Sequence, residues 1–427
     1  MIPIRTLFKP LAHVPVYPSR EENIERMPDP DYVIIPLEYP GQIFYKPTVK
    51  QDDAVRKNQI IGRSELGNCV HASISGVVKE IKPIWSSRSF NVPAVVIERN
   101  DHPPLSRDEL FAQSGVPFQS ASRLEKLKVS GAISPWTLPG RHHQEEDVRE
   151  FPPIRKIIIK GADEEPTLFA FELLLRQEAE DILSGLKHLQ QLAPNAAIFL
   201  TMSRRLAGWG TEKYGKHAAV VGLSDAYKDR IERRVVAKIT GSDIPNILPY
   251  RKMGVAVLSV EYLLTMDRAL EGEGPFIHKY LTIAGRPLEK AVTVRAPIGT
   301  PIRTILENRG IEKHPYARIL VGGAMKGNAQ FSDQTPITKS SHGLFLMDRD
   351  EIPEEINLTC INCGRCTRAC PVCLQVHLIG RYVEYSMFEK AREFHPEACH
   401  ECGLCAYVCP AHRPMAQLMR MAKQYEV

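Results

Sequence analysis

The stretches CINCGRCTRACP (Cys360–Pro371) and CHECGLCAYVCP (Cys399–Pro410) decide how the carboxyl-terminal part of this chain folds. Each reads C-x-x-C-x-x-C-x-x-x-C-P, the spacing with which bacterial-type ferredoxins hold two [4Fe-4S] cubanes, the fourth cysteine of each run serving the other cube. Three thiolates separated by residue pairs can wrap one face of a cube, and the fourth, on the next helical turn, points to its neighbour. The spacing therefore predicts Cys360, Cys363, Cys366 and Cys409 on one cluster and Cys399, Cys402, Cys405 and Cys370 on the other.

Two other cysteine chemistries compete with this reading. A tetrahedral zinc ion also accepts four thiolates. Zinc modules, however, usually set two C-x-x-C knuckles apart by a longer loop and have no use for a third cysteine in the run or a proline after the fourth. Disulfides fit less well, since eight of the ten cysteines crowd into two tight runs of a chain with no export signal. Cys69 and Cys373 read as ordinary buried or incidental thiols, Cys373 packing near a cluster.

Composition sets the frame. A chain of 427 residues exceeds one hydrophobic core and suggests three or four units. Its 43% hydrophobic and 25% charged residues are those of a globular protein. No apolar run reaches the length of about 18 that crosses a bilayer, and the opening MIPIRTLFKPLAHVPVYPSR lacks the apolar core of a signal peptide. A cytoplasmic location is the expectation, where oxygen-sensitive clusters can be assembled. The net charge is +5, and residues 201 to 240 carry nine Lys or Arg against four acids. No nucleic-acid-binding pattern accompanies that stretch, so nucleic acid is not an expected partner. It reads as a solvated face, or as a surface for a protein or anionic cofactor.

In chain order, residues 1–110 are β-like. DYVIIPL, QIIGRSE, SISGVVKEI and AVVIERN are short β-branched runs bounded by Pro, Gly or Asp. Their order resembles the flattened barrel of lipoyl and biotinyl carriers, but Ser75-Gly76 stands at the hairpin tip where a carrier presents a modifiable Lys. A β barrel-sandwich used for docking is the reading. Residues 111–153 read as a linker, preceded by a short helix near Leu105 to Ser114. His142, His143, Glu145 and Glu146 lie in a polar, Pro-flanked loop and read as solvated. From Ile154 strand and helix alternate: IRKIIIKGA, a helical stretch to Gln190, AAIFLTM, HAAVVGLSD and GVAVLSVEYLLTMDRAL. Residues 154–270 thus read as a Rossmann-like α/β domain with a mainly parallel sheet. Ligands bind outside the strand carboxyl ends of such sheets, which places the GADEEP turn, Gly161 to Pro166, at the mouth. Residues 271–350 give strand, strand, helix, strand, a β-grasp pattern with Pro301 in the first helical turn and Gly310 closing it. Gly322, Gly323 and Gly327 lack the G-K-[ST] ending of a phosphate loop and read as turn glycines. Residues 351–427 form the α-helical, two-cluster ferredoxin-type domain, with helices from about Leu374 to Phe394 and Pro414 to Tyr425.

Together these parts make a multidomain α/β protein, and their order resembles the RnfC family of the Rnf electron-transport complex, a relative of the flavin-carrying part of respiratory complex I. The resemblance rests on VHASISGVVKEI, on IIIKGADEEPTLFAFELLLRQEAEDILSGL, on VTVRAPIGTPIRTILENRG with ARILVGGAMKG in a soluble-ligand-binding β-grasp (SLBB) unit, and on the two cysteine runs. It implies a peripheral subunit on the inner face of the cell membrane, bound to other subunits of a membrane electron-transport complex. It also implies FMN and NADH sites in the central domain, with Gly161, Asp163, Glu164 and Glu165 as the matching residues, and two clusters that pass electrons on. The family's glycine-rich loop G-x-G-G-A-G-F-P is replaced here by KVSGAISPWTLPGR (Lys128–Arg141), where Ser134, Pro135, Trp136 and Thr137 stand in place of glycines. Side chains and a missing N–H obstruct the close approach of a flavin phosphate. The leading reading is therefore an iron–sulfur relay subunit fed by a protein donor or acceptor such as a ferredoxin, flavoprotein or cytochrome. The alternatives are an NADH:FMN oxidoreductase subunit and a non-catalytic structural or sensing iron–sulfur protein. The acidic turn has a structural alternative too, as a charge cluster favourable to a helix N-terminus. No catalytic acid or base is assigned.

Overall fold

The structure, a computed structural model, describes residues 20–39, 43–85, 91–132, 152–241, 250–311, 316–352 and 358–424. Ser134 to Thr137 of the altered loop, and His142, His143, Glu145 and Glu146, lie outside the described residues.

Strands Tyr32–Pro36, Val92–Arg99, Gly76–Ile84 and Ala54–Val55 form one antiparallel sheet, and Lys46–Pro47, Ile60–Arg63 and Cys69–His71 a second. Alternate residues of both, among them Val33, Ile35, Ile61, Val78, Val95 and Ile97, fill a shared core, which is the period-two pattern of a sandwich. A Cβ on Gly76 would lie 2.0 Å from the Glu98 carbonyl oxygen, so the strands meet at a distance only glycine permits.

Two expectations about boundaries need correction. Residues 111–132 are not a linker: helices Arg107–Ala112 and Arg123–Val129 each begin with a full capping box, Ser106 with Glu109 and Ser122 with Glu125. Leu110, Phe111, Phe118 and Val129 pack on Ile60 and Cys69 of the sandwich. The strand Arg20–Arg26, expected in the barrel unit, instead pairs in parallel with Ala291–Pro297 of the third unit.

The central unit is a four-stranded parallel sheet, Ala219–Leu223, Ala197–Ser203, Lys156–Lys160, Val255–Ser259 in spatial order. Ile157, Ile158 and Ile159 are all wholly buried because both faces of the sheet are covered. Ile157 and Ile159 face helices Ala170–Gln177, Ala179–Leu192 and Val260–Glu271, while Ile158 meets Val235 and Val236 of helix Glu232–Thr240. The helix Glu232–Thr240 ends on Gly241 at φ 71°, a left-handed cap.

The third unit is a six-stranded sheet in which His278–Gly285 runs antiparallel to Ala291–Pro297 and parallel to Gly343–Asp348. Helix Ile302–Glu307 buries Ile302, Ile305 and Leu306 against it. The last unit is helical: Arg365–Ala369, Val376–Glu384, Phe388–Arg392, Leu404–Tyr407 and Met415–Gln424. The single helix expected from Leu374 to Phe394 is two, parted at Ser386, whose φ of 57° is left-handed. Among the described residues no helix is long and apolar enough to cross a membrane.

One buried ion pair joins the second and third units. Lys279, wholly buried, donates to the buried Glu261 carboxylate and also reaches His342 Nδ1 at 3.3 Å. Glu261 accepts in addition the backbone N–H of Tyr280 at 3.1 Å. Removing one partner leaves the other charge uncompensated in a dry interior, so Lys279→Met is expected to cost about 3–5 kcal/mol in anaerobic urea unfolding. Adding Glu261→Leu should restore most of that loss; a double variant as unstable as the single would show that the pair is not what matters.

Candidate iron–sulfur centre

Every cysteine of the first run has a counterpart 39 positions later, and the backbone repeats with it. Asn362 and Gly364 are left-handed at φ 55° and 69°; Glu401 and Gly403 match them at 52° and 74°. Cys373 at 55° is matched by His412 at 44°. The hydrogen bond from Cys370 N–H to the Thr367 carbonyl is repeated from Cys409 to Ala406. Left-handed residues set among right-handed ones turn successive N–H groups toward one side, a nest that suits anionic sulfur. The Glu401 N–H lies 3.3 Å from Cys399 Sγ. The N–H groups of Leu404, Ala406 and Thr367 likewise face the sulfurs of Cys402, Cys405 and Cys366.

The tertiary fold brings the runs together crosswise. Cys360, Cys363 and Cys366 line one cavity with Cys409 of the second run. Cys370 of the first run stands close enough to Cys399, Cys402 and Cys405 to raise the pKa of each thiol. Burial is the larger cause: it drives Cys402 up to about 11 and shifts Cys366, Cys399 and Cys405 in the same direction. None of the eight is in a disulfide. Partly buried, mutually repelling sulfurs need a cationic centre to become thiolates, and soft all-sulfur sets with N–H donors around them fit iron–sulfur clusters. Cys373, expected as a buried or incidental thiol, is exposed.

The second run is fastened to the rest of the molecule. Tyr227 of the central unit donates from its hydroxyl to the Cys402 carbonyl at 2.8 Å, and Tyr227, Ile231, Cys402 and Leu404 share a core with Met325. A Cβ on Gly403 would lie 2.2 Å from the Met325 carbonyl oxygen. Glu401 pairs with Arg420 at 3.3 Å and Lys423 at 2.5 Å, and Arg420 continues to the Lys326 carbonyl at 3.2 Å.

The acidic turn is engaged differently from an open ligand mouth. Asp163 is buried and accepts the Phe171 N–H at 3.0 Å, capping helix Ala170–Gln177. Glu165 is buried and accepts the N–H groups of Met325 and Lys326 at 2.9 and 2.5 Å, fixing the turn that contains Gly323. Glu164 pairs with Lys326 Nζ at 2.9 Å. Gly161 is required by packing, since a Cβ there would meet the Thr201 carbonyl oxygen at 2.6 Å. What sequence reasoning missed is a cleft of about 780 Å³ between helix Glu232–Thr240 and the segment after Cys370. The basic composition of residues 201 to 240 was its only advance signal.

With this geometry in view, two family models match: the RnfC barrel sandwich hybrid domain over residues 13–102 and a 4Fe-4S dicluster domain over residues 353–410. The C subunit of the ion-translocating oxidoreductase complex of Rhodobacter capsulatus is 27% identical, over 98% of this chain and 85% of the relative. The chain resembles RnfC-type C subunits along nearly its whole length. The C subunit of the Na(+)-translocating ferredoxin:NAD(+) oxidoreductase complex of Acetobacterium woodii is 25% identical over 95% of each chain. Among solved structures, an NAD+-reducing [NiFe]-hydrogenase in the H2-reduced state matches with a TM-score of 0.41 and 14% identity, covering 75% of this chain and 65% of that one. The similarity to C subunits therefore spans the sandwich, both sheets and the cysteine-rich unit.

The carboxyl of Glu165 is pushed up to about 7 by burial, against which the two N–H bonds and Lys326 pull it down. The folded state thus holds this proton more tightly than the unfolded chain does. Its ionisation opposes folding as pH rises from about 4.5 to about 7, and the opposition is relieved as pH falls. Glu165→Gln should therefore gain on the parent protein by about 1–3 kcal/mol between pH 5 and pH 8 in anaerobic unfolding. Equal gaps at the two pH values would show that Glu165 is ionised throughout.

Proposed function

We propose that this chain is the peripheral iron–sulfur subunit of a membrane-associated electron-transport complex, relaying single electrons between a protein donor and the complex's membrane partners. The observation that supports the reading is the crosswise approach of the two cysteine runs, Cys409 lining a cavity with Cys360, Cys363 and Cys366, and Cys370 standing near Cys399. Cys360, Cys363, Cys366 and Cys409 hold one [4Fe-4S] cluster, and Cys399, Cys402, Cys405 and Cys370 hold the other. When bound, the clusters supply reversible one-electron storage.

The chain's own residues do the rest. N–H groups of Thr367, Glu401, Leu404 and Ala406 stabilise charge on the ligating sulfurs, and cluster potential follows such bonds and solvent exposure. Leu374, Val376, Ile379, Met415 and Leu418 share a core with Cys405 and pack beside Cys366, Cys370 and Cys399. Tyr227, Met325 and Arg420 hold the second set against the central and third units.

The parallel sheet is read as a Rossmann-like domain and the third unit as an SLBB unit, because strand order and helix placement agree with those folds. An NADH:FMN role gains less support: Asp163 and Glu165 spend their hydrogen bonds on backbone N–H groups, and Glu164 is paired with Lys326.

Anaerobically purified protein is expected to contain about eight iron and eight sulfide per chain, with a coupled low-temperature EPR signal after dithionite. Zinc without iron would end the reading. Cys409→Ala should damage the cluster of the first run and leave that of the second. Two intact clusters in that variant would refute the crossed ligation. FMN is expected below stoichiometry, with little NADH:ferricyanide reductase activity; tight FMN with fast reduction by NADH would select the oxidoreductase alternative.

A further inference from the structure

The cleft of about 780 Å³ has two walls of different origin. One comes from the carboxyl ends of strands Ala197–Ser203 and Ala219–Leu223 and from helix Glu232–Thr240, and it presents Arg204, Arg233, Arg234 and Lys238. The other comes from the cysteine-rich unit: Pro371, Val372 and Cys373 follow directly on Cys370, and His400 follows on Cys399. Four permanent cations therefore stand over the backbone that carries two members of the second four-cysteine set.

The lining of the cleft brings little negative charge of its own. Among the described residues Asp229 is the one carboxylate lining the cleft; it is held by the Ser224 hydroxyl at 2.7 Å and reaches Arg234 only at 3.9 Å. Arg233 lies over the Tyr250 ring at 5.4 Å. Arg204, Arg234 and Lys238 are exposed. Neighbouring cations outside the cleft are committed elsewhere, Arg205 to Glu172 at 2.7 Å and Arg230 to Asp225 at 2.5 Å. Concentrated charge of one sign steers a partner of the opposite sign and raises its encounter rate. No Phe, Tyr or Trp among the described residues lines the cleft, and the one imidazole there, His400, is a small ring on which to stack a flavin or adenine. That favours a macromolecular acidic surface over a small nucleotide.

We propose that this cleft is the docking surface for an acidic one-electron carrier protein, seated on Arg204, Arg233, Arg234 and Lys238 beside the second four-cysteine set. The inference rests on the relay reading above and adds the place and charge of the partner. One electron passes and no atoms move: the carrier is oxidised by one electron and the chain's iron–sulfur centre is reduced by one, or the reverse.

The test uses the full-length holoprotein and two probe carriers, an acidic [2Fe-2S] ferredoxin and the basic cytochrome c. Binding is read by calorimetry at low and at physiological ionic strength, and reduction of the clusters by stopped flow. The acidic probe should bind and weaken as salt rises. Arg204→Glu/Arg234→Glu/Lys238→Glu should weaken it about tenfold or more, with the charge-neutral Gln triple variant falling between. Iron content and dithionite reduction should be unchanged in both variants, which separates docking from folding. Undiminished ferredoxin affinity in the Glu triple variant would overturn the docking site while leaving the relay intact. Tight inorganic pyrophosphate binding that the variant abolishes, with no ferredoxin binding to the parent, would overturn it in favour of a small-anion site. Clusters that no protein carrier reduces, but that NADH with FMN reduces fully, would sink the relay reading and the docking site with it.

Discussion

Two left-handed residues inside each cysteine run, Asn362 with Gly364 and Glu401 with Gly403, are the constraint on which the rest of the cysteine-rich unit depends. They bend the chain so tightly that three sulfurs from seven residues can face one point, and they turn N–H groups toward those sulfurs. Asn tolerates this conformation by bonding locally, whereas Glu401 gains nothing intrinsic from it. Its carboxylate is instead clamped by Arg420 and Lys423, which compensates the local strain through tertiary contact.

The same clamp makes the cysteine-rich unit part of a larger body. Arg420 links Glu401 to the carbonyl of Lys326, whose N–H is bound by Glu165 of the central unit. Tyr227 reaches the Cys402 carbonyl from the other side. A charge-bearing loop, a buried carboxylate and a phenol thus tie three units around one sulfur ligand. Such a joint suits electron transfer, where distance must not fluctuate, better than it suits a hinge.

The fate of the GADEEP turn shows how a ligand-site signature can serve architecture. Its carboxylates sit where ligands enter a parallel sheet. In this chain Asp163 caps a helix and Glu165 caps a turn of the neighbouring unit. Cationic surface is found instead at the ends of the adjacent strands, facing the cysteine-rich unit. The capping box of Ser122 and Glu125, an S-x-x-E pair, marks a helix in what composition alone presents as a linker.

By itself the sequence determined what is local and periodic: eight cysteines with their spacing, the sandwich strands, the alternation of strand and helix, and the strand-strand-helix-strand unit. These follow from side-chain period and from residue types that admit few backbone conformations. Only the tertiary structure decided which elements far apart in the chain meet. It placed Arg20–Arg26 on Ala291–Pro297, Glu165 under Met325, and Arg234 opposite Cys373. Contacts between distant segments depend on how whole units bury their remaining apolar faces, and no short window of residues carries that information.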